Sequence, residues 1–249
     1  MKIHSLFNDK SDLYEKARPV YPDEIYRYLV SISPSNLKAW DCACGNGQVS
    51  EGLSHCFEGV IATDVSEQQI ANAKQFDNVI YRVMPSESTD FPDDSFDLVC
   101  VAQALHWFDF PVFWPEVKRV LKPDGVFAAW GYTWPVLPDE IERIFHDQIL
   151  NVIAPYWATQ NSLLTGHYKD VEFPFERLSS PKFEMKVEWN LDQFFDFIKT
   201  FSATRRCTEE HGEAFLDAAY EQIETHWSAD EKPRVIPLEF VFYAGRNTE

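Results

Sequence analysis

The chain has 249 residues, with 40 acidic against 22 basic side chains and a formal net charge of −18; this charge repels a phosphate backbone and argues against nucleic acid as a partner. The length suffices to bury a sizeable core as one α/β domain, and no Gly-, Ser- or charge-rich linker, repeat or low-complexity tract divides it. The opening residues lack a signal-peptide run, no stretch approaches the roughly 20 apolar residues of a membrane span, and the five cysteines, Cys42, Cys44, Cys56, Cys100 and Cys207, are odd in number and lack zinc-type spacing, so a cytoplasmic protein with reduced thiols, no membrane and no metal is expected.

A helix is predicted over Asp23–Ser31. The apolar strand after it ends on a carboxylate in Trp40-Asp41-Cys42-Ala43-Cys44-Gly45-Asn46-Gly47-Gln48. Small residues then alternate up to a helix start, a layout that lets backbone approach a nucleotide-like ligand closely. A pyrophosphate at that helix N-terminus would meet the charge of Asp41. Two like charges about 4 Å apart at an effective dielectric near 20 cost roughly 4 kcal/mol, whereas a ligand carrying an ammonium and a sulfonium is attracted. The third glycine of the dinucleotide fingerprint is also missing, with Ser50 in its place.

The second apolar run, Gly59–Asp64, closes on Asp64, whose carboxylate can accept both hydrogen bonds of a ribose diol or cap the following helix. Ser66 and Gln69 already supply a capping box for Ser66–Lys74. A third strand, Val79–Met84, leads into the acidic loop Pro85–Pro92. A fourth, Phe96–Ala102, ends in Gln103-Ala104-Leu105-His106-Trp107-Phe108. A helix over Pro111–Leu121, a turn at Lys122-Pro123-Asp124-Gly125 and a strand over Val126–Gly131 complete the pattern; in the turn Pro fixes one dihedral and Gly permits another. In a doubly wound sheet ligands sit at the carboxyl ends of strands, where these candidate segments lie.

Asp41, Ala43, Gly45 and Gly47 resemble motif I of the class I S-adenosylmethionine-dependent methyltransferases, D-x-G-x-G-x-G, with Ala43 in place of the first glycine. The resemblance runs in order over residues 37–131. The segment Tyr14-Glu15-Lys16-Ala17-Arg18-Pro19-Val20-Tyr21-Pro22, the run His106-Trp107-Phe108 and looser C-terminal matches are similar to the methyltransferase type 11, or trans-aconitate methyltransferase-like, group. The resemblance implies a Rossmann-like doubly wound α/β sheet of seven strands, order 3-2-1-4-5-7-6 with the last strand antiparallel, and a helical cover inserted after strand 5. It implies one domain with a core at about 23–134 and 183–249 and cover elements at about 135–182 and 190–234. It also implies S-adenosyl-L-methionine held by Tyr14, Arg18, Asp41, Ala43, Cys44, Gly45, Gly47, Asp64, Val65, Ser86, Glu87, Gln103 and Ala104. In this group Arg18 would pair with the methionine carboxylate, and Ser86 and Glu87 would flank the adenine.

In the cover, helices are predicted over Pro138–Ile153, Leu191–Thr200 and His211–Trp227, with strands at Phe183–Trp189 and Leu238–Ala244. Its many aromatic residues are expected mostly to pack the core, with a few lining a dry acceptor pocket. Tyr21, His106, Trp107, Arg205 and Arg206 are the substrate-binding candidates. A carboxylate acceptor needs only orientation, most naturally by a guanidinium. A hydroxyl acceptor needs a base, for which His106 is the first candidate. The expected activity is methyl transfer to a small molecule, favouring O-methylation of a carboxylate, by a monomer or homodimer. Two alternatives stay open: an NAD-dependent dehydrogenase on a similar sheet, and a non-catalytic S-adenosylmethionine-binding protein.

Overall fold

The computed structural model describes residues 17–227 and 232–248. Strand β1 (Lys38–Cys42) sits at the middle of the sheet, parallel to β2 (Gly59–Asp64) on one side and β4 (Phe96–Ala102) on the other. Its side chains alternate between two cores, as the strand period demands. Ala39 joins Leu98 and Cys100 on one face, and Trp40 and Cys42 join Val99 and Val101 on the other. Helices α1 (Asp23–Ile32) and α2 (Gln48–Ser54) cover the first face, and α4 (Phe110–Val120) covers the second. The short α3 (Glu67–Ala71) follows β2, with Ser66 Oγ accepting from the Gln69 amide at 3.3 Å.

With β3 (Val79–Val83), β5 (Leu121–Pro135) and β8 (Arg234–Arg246), the strand order is β3-β2-β1-β4-β5-β8. β8 is antiparallel to β5. Along its other edge it pairs β7 (Met185–Trp189) through its first half and the two-residue β6 (Glu176–Arg177) through its last residues. The expected order is therefore present, the anticipated sixth and seventh strands being β7 and β8; β6 is an eighth strand too short to leave a periodic signal.

β5 starts five residues earlier than Val126. Its register shifts between Phe96↔Leu121 and Leu98↔Val126, so the Lys122–Gly125 turn is a bulge in the strand. The left-handed dihedral in it belongs to Asp124 (φ +63°) and not to Gly125. Gly125 is needed for space, since a Cβ there would come within 2.8 Å of the Lys122 carbonyl oxygen.

The cover begins with α5 (Asp139–Phe145), which runs through a π-helical turn at His146–Leu150 to Asn151–Ile153, and continues with α6 (Asn161–Thr165) and α7 (Leu191–Lys199). The predicted helix His211–Trp227 is α9 (Ala214–Trp227), and another helix, α8 (Ser202–His211), precedes it. Gly212 at φ +78° separates the two. The buried positions of α8 are Ala203, Thr204 and Cys207, small and partly polar, so no apolar stripe announces the helix. Among the described residues no helix is long and apolar enough to cross a membrane.

Candidate active site

Strand order reverses between β1 and β4, and a cleft of about 1030 Å³ opens there at the carboxyl ends of the strands. Its floor is the loop after β1, in which Ala43, Gly45 and Gly47 all have left-handed backbone, φ +57°, +56° and +88°. Such dihedrals cost little for glycine but strain alanine. A Cβ on Gly45 would project into open space, whereas one on Gly47 would run into the Tyr81 ring. Gly45 therefore faces the cleft, and Gly47 seats the N-terminus of α2 against β3.

Asp64 ties this loop to β2. Its Oδ2 accepts from the Gly45 amide at 2.9 Å and its Oδ1 from the Ser66 amide at 2.8 Å. Asp64 lines the cleft beside Val65, Ser66 and Gln69.

Asp41 departs from the electrostatic expectation. It reaches the cleft wall but is 1% exposed, and Ser50 Oγ donates to its Oδ2 at 2.5 Å. Burial, assisted by the neighbouring Asp64 charge and opposed by the Ser50 hydrogen bond, lifts its pKa to about 7. The carboxyl is partly protonated at neutral pH, a buried strut beneath the loop and not a fixed negative charge at its entrance. The cleft-lining Cys44 thiol is pushed well up by burial and by Asp41, which keeps it protonated and unreactive.

The opposite wall comes from the end of β4. Gln103 holds φ +56° and donates from Nε2 to the Tyr132 carbonyl at 3.1 Å. Gly131 makes room for it, as a Cβ there would lie 2.5 Å from Gln103 Oε1. Ala104, Trp107, Phe108, Tyr21 and Arg18 complete the cleft. Arg18 donates from Nη1 to Tyr132 Oη at 3.2 Å and from Nη2 to the Thr200 carbonyl at 3.4 Å, and its guanidinium lies 5.6 Å from the Phe197 ring centroid and 5.9 Å from that of Phe201.

Arg18, Gln103, Trp107 and Tyr132 also line a second chamber, of about 720 Å³, under the cover. Its walls carry Trp134, Trp157, Phe197 and Phe201, with Arg205, Asn161, Thr133 and His106 among them. Among the described residues no Asp or Glu lines it. Most remaining aromatics of the cover pack the cores: Phe173 stacks on Tyr243 at 3.6 Å and Phe194 on Trp227 at 5.3 Å.

Several anticipated residues lie elsewhere. Ser86 is buried against the Cys42 thiol, and neither it nor Glu87 lines the cleft. Arg206 turns away from the chamber, its Nη1 donating to the Tyr156 carbonyl at 3.0 Å; consecutive helical residues point about 100° apart, so Arg205 and Arg206 cannot share a target. Burial drops the pKa of His106 to about 4, which makes it a poor general base. Tyr14 lies outside the described residues. Trp134, Trp157, Phe197 and Phe201 are the cover aromatics that line the chamber, whereas Asn46, Gln48, Gln69, Phe108 and Tyr132 in the cleft and Asn161 in the chamber escaped the sequence reading as ligand contacts. Only Tyr132 and Phe108 carried a signal, each directly continuing a recognised strand-end segment.

Comparison with known proteins agrees with this geometry. Residues 40–129 match a family model described as a methyltransferase domain. A Dictyostelium discoideum protein provisionally named a methyltransferase is 30% identical over 81% of this chain and 78% of its own length. A Saccharomyces cerevisiae protein provisionally named an S-adenosylmethionine-dependent methyltransferase is 24% identical over 78% of this chain and 79% of its own. A solved structure from Anaeromyxobacter dehalogenans, provisionally named a type II methyltransferase, superposes with a TM-score of 0.85 at 33% identity, covering 92% of this chain and 98% of that one. Sheet order, strand-end cleft and sequence kinship together place the chain in the class I S-adenosylmethionine-dependent methyltransferases. It is a methyltransferase enzyme, and its fold implies S-adenosylmethionine as the methyl donor.

Proposed function

We propose that this enzyme methylates a carboxylate oxygen of a small, largely apolar acid held in the second chamber. The observation that carries this reading is the chamber's charge. In a chain of net charge −18, its lining among the described residues includes Arg18 and Arg205 and no Asp or Glu. Aromatic walls with guanidinium groups fit an anion on an apolar body.

The cleft suits the donor. Gly45 leaves its face open, Asp64 presents a carboxylate already oriented by two backbone amides, and Arg18 stands where cleft and chamber meet. In this reading Asp64 holds the ribose diol, the Ala43–Asn46 backbone lies along the nucleoside, Val65 and Ala104 flank it, and Arg18 pairs with the methionine carboxylate, while Gly47, anticipated as a contact, packs on Tyr81 instead. Asp41 acts from below, through Ser50, by holding the loop. When bound, the cofactor supplies an electrophilic methyl group on sulfonium sulfur. Arg205 orients the acceptor, and Trp107, Trp134 and Trp157 keep water out, so that positioning supplies much of the rate enhancement. An ionised carboxylate needs no proton removed, consistent with the poor basicity of His106.

The test is incubation with methyl-labelled cofactor and a panel of aromatic and aliphatic acids, each beside its alcohol and amine counterpart, read by mass spectrometry. The expected product is a methyl ester that releases labelled methanol in mild base. A base-stable ether or methylamine as the main product would overturn the carboxylate assignment.

A further inference from the structure

One buried titratable pair, of which His106 lines the chamber, has no role in the chemistry above. His106 and Tyr168 are 3% and 4% exposed, sit 62 residues apart in sequence, and meet with His106 Nδ1 3.2 Å from Tyr168 Oη. Their rings lie nearly parallel, and His106 also packs against Trp107. The His106 backbone amide faces the same phenol oxygen.

This arrangement determines where the imidazole proton resides. A phenol has one proton to donate, and a backbone N–H cannot accept it. Among the described residues, His106 Nδ1 is the acceptor within reach. Placing the imidazole proton on Nδ1 would leave the buried phenolic proton without a partner, which buried polar groups avoid. The hydroxyl therefore donates to Nδ1, and the proton of the neutral ring sits on Nε2. Burial keeps the ring neutral. A general base needs a bare nitrogen toward its substrate; this ring offers the chamber an N–H.

We propose that Tyr168 is a positioning residue that fixes His106 as a neutral Nε2–H donor to the carboxylate of a bound acceptor. The proposal rests on the acceptor reading of the chamber and adds a second donor to the Arg205 guanidinium, which lines the same chamber.

Nuclear magnetic resonance of protein carrying isotope-labelled histidine tests it without turnover, with His106→Gln assigning the signal. The expected result is one neutral tautomer, protonated at Nε2 and unchanged from about pH 6 to about pH 8, where an ordinary histidine titrates. In Tyr168→Phe it becomes a mixture of tautomers. With S-adenosylhomocysteine present, benzoate as the probe acid shifts the Nε2 signal and the Trp157 indole signal together. An Nδ1-protonated ring, titration in that range, or an unaltered tautomer in Tyr168→Phe overturns the positioning role. A shift at Trp157 without one at Nε2 overturns the donor role while leaving the acceptor chamber intact. A shift at neither, with cofactor binding normal, removes the acceptor reading itself, and the donor role with it. Once an acid substrate is in hand, His106→Gln, whose amide N–H reaches about where Nε2 does, should hold KM within about threefold, whereas His106→Leu should raise it about tenfold. A general-base role would instead appear as a large loss of kcat in both variants.

Discussion

Ser50 Oγ donates to Asp41 Oδ2 at 2.5 Å beneath the loop after β1, joining the end of the central strand to the first turn of the helix that follows it. The bond holds in place a carboxyl group whose folded pKa of about 7 lies well above the roughly 3.9 of an unfolded chain.

Because the folded state binds this proton more tightly, Asp41 contributes stability that is fully present below about pH 4 and lost as pH rises through about 7. The gap corresponds to something on the order of 4 kcal/mol. Asp41→Asn keeps an acceptor for Ser50 and removes the titration. Urea unfolding should find the variant gaining on wild type as pH rises from about 4 to about 8, by up to a few kcal/mol.

Ala43 pays for its left-handed dihedral. Ala43→Gly should raise stability by about 1 kcal/mol, seen as an increase in Tm of roughly 2–4 °C in a chain of this size. An unchanged or lower Tm would mean that the methyl group makes compensating contacts.

Asp64 is predicted to matter through its two amide bonds and its place in the cleft lining. Asp64→Ala should weaken binding of S-adenosylhomocysteine about 100-fold or more, near 3 kcal/mol, in a calorimetric titration. Arg18→Ala should likewise lower affinity far more than stability.

Arg205 and Arg206 offer an internal control. With an acid acceptor, Arg205→Gln should raise KM about 10- to 100-fold with a smaller effect on kcat, the range expected for a charge-assisted hydrogen bond. Arg206→Gln should leave both parameters near wild type, because its guanidinium serves the Tyr156 carbonyl.

The parts of the site legible in the sequence were those held by local backbone: the small-residue loop, Asp64 at the end of β2 and the Gln103–Trp107 segment. Each follows from strand period and turn chemistry within about a dozen residues. What stayed hidden depends on partners distant in the chain. Asp41 changes character because Ser50 and the surrounding strands bury it; Ser86 turns inward to Cys42; Tyr168 reaches His106 only once the cover has folded. Helix α8 was missed because its buried stripe is Ala203, Thr204 and Cys207, and without that helix nothing distinguishes Arg205 from its neighbour.

Arg18, Gln103, Trp107 and Tyr132 belong to both cavities at once, while the walls beyond them come from α6 to α8 and the ends of β5. The compartment built on strand ends is tied to the architecture of the sheet; the other is furnished largely by an insertion that the sheet does not need in order to close. Under the proposed assignment of donor to cleft and acceptor to chamber, replacing side chains on those helices should retune which molecules are accepted without disturbing the strand-end loop.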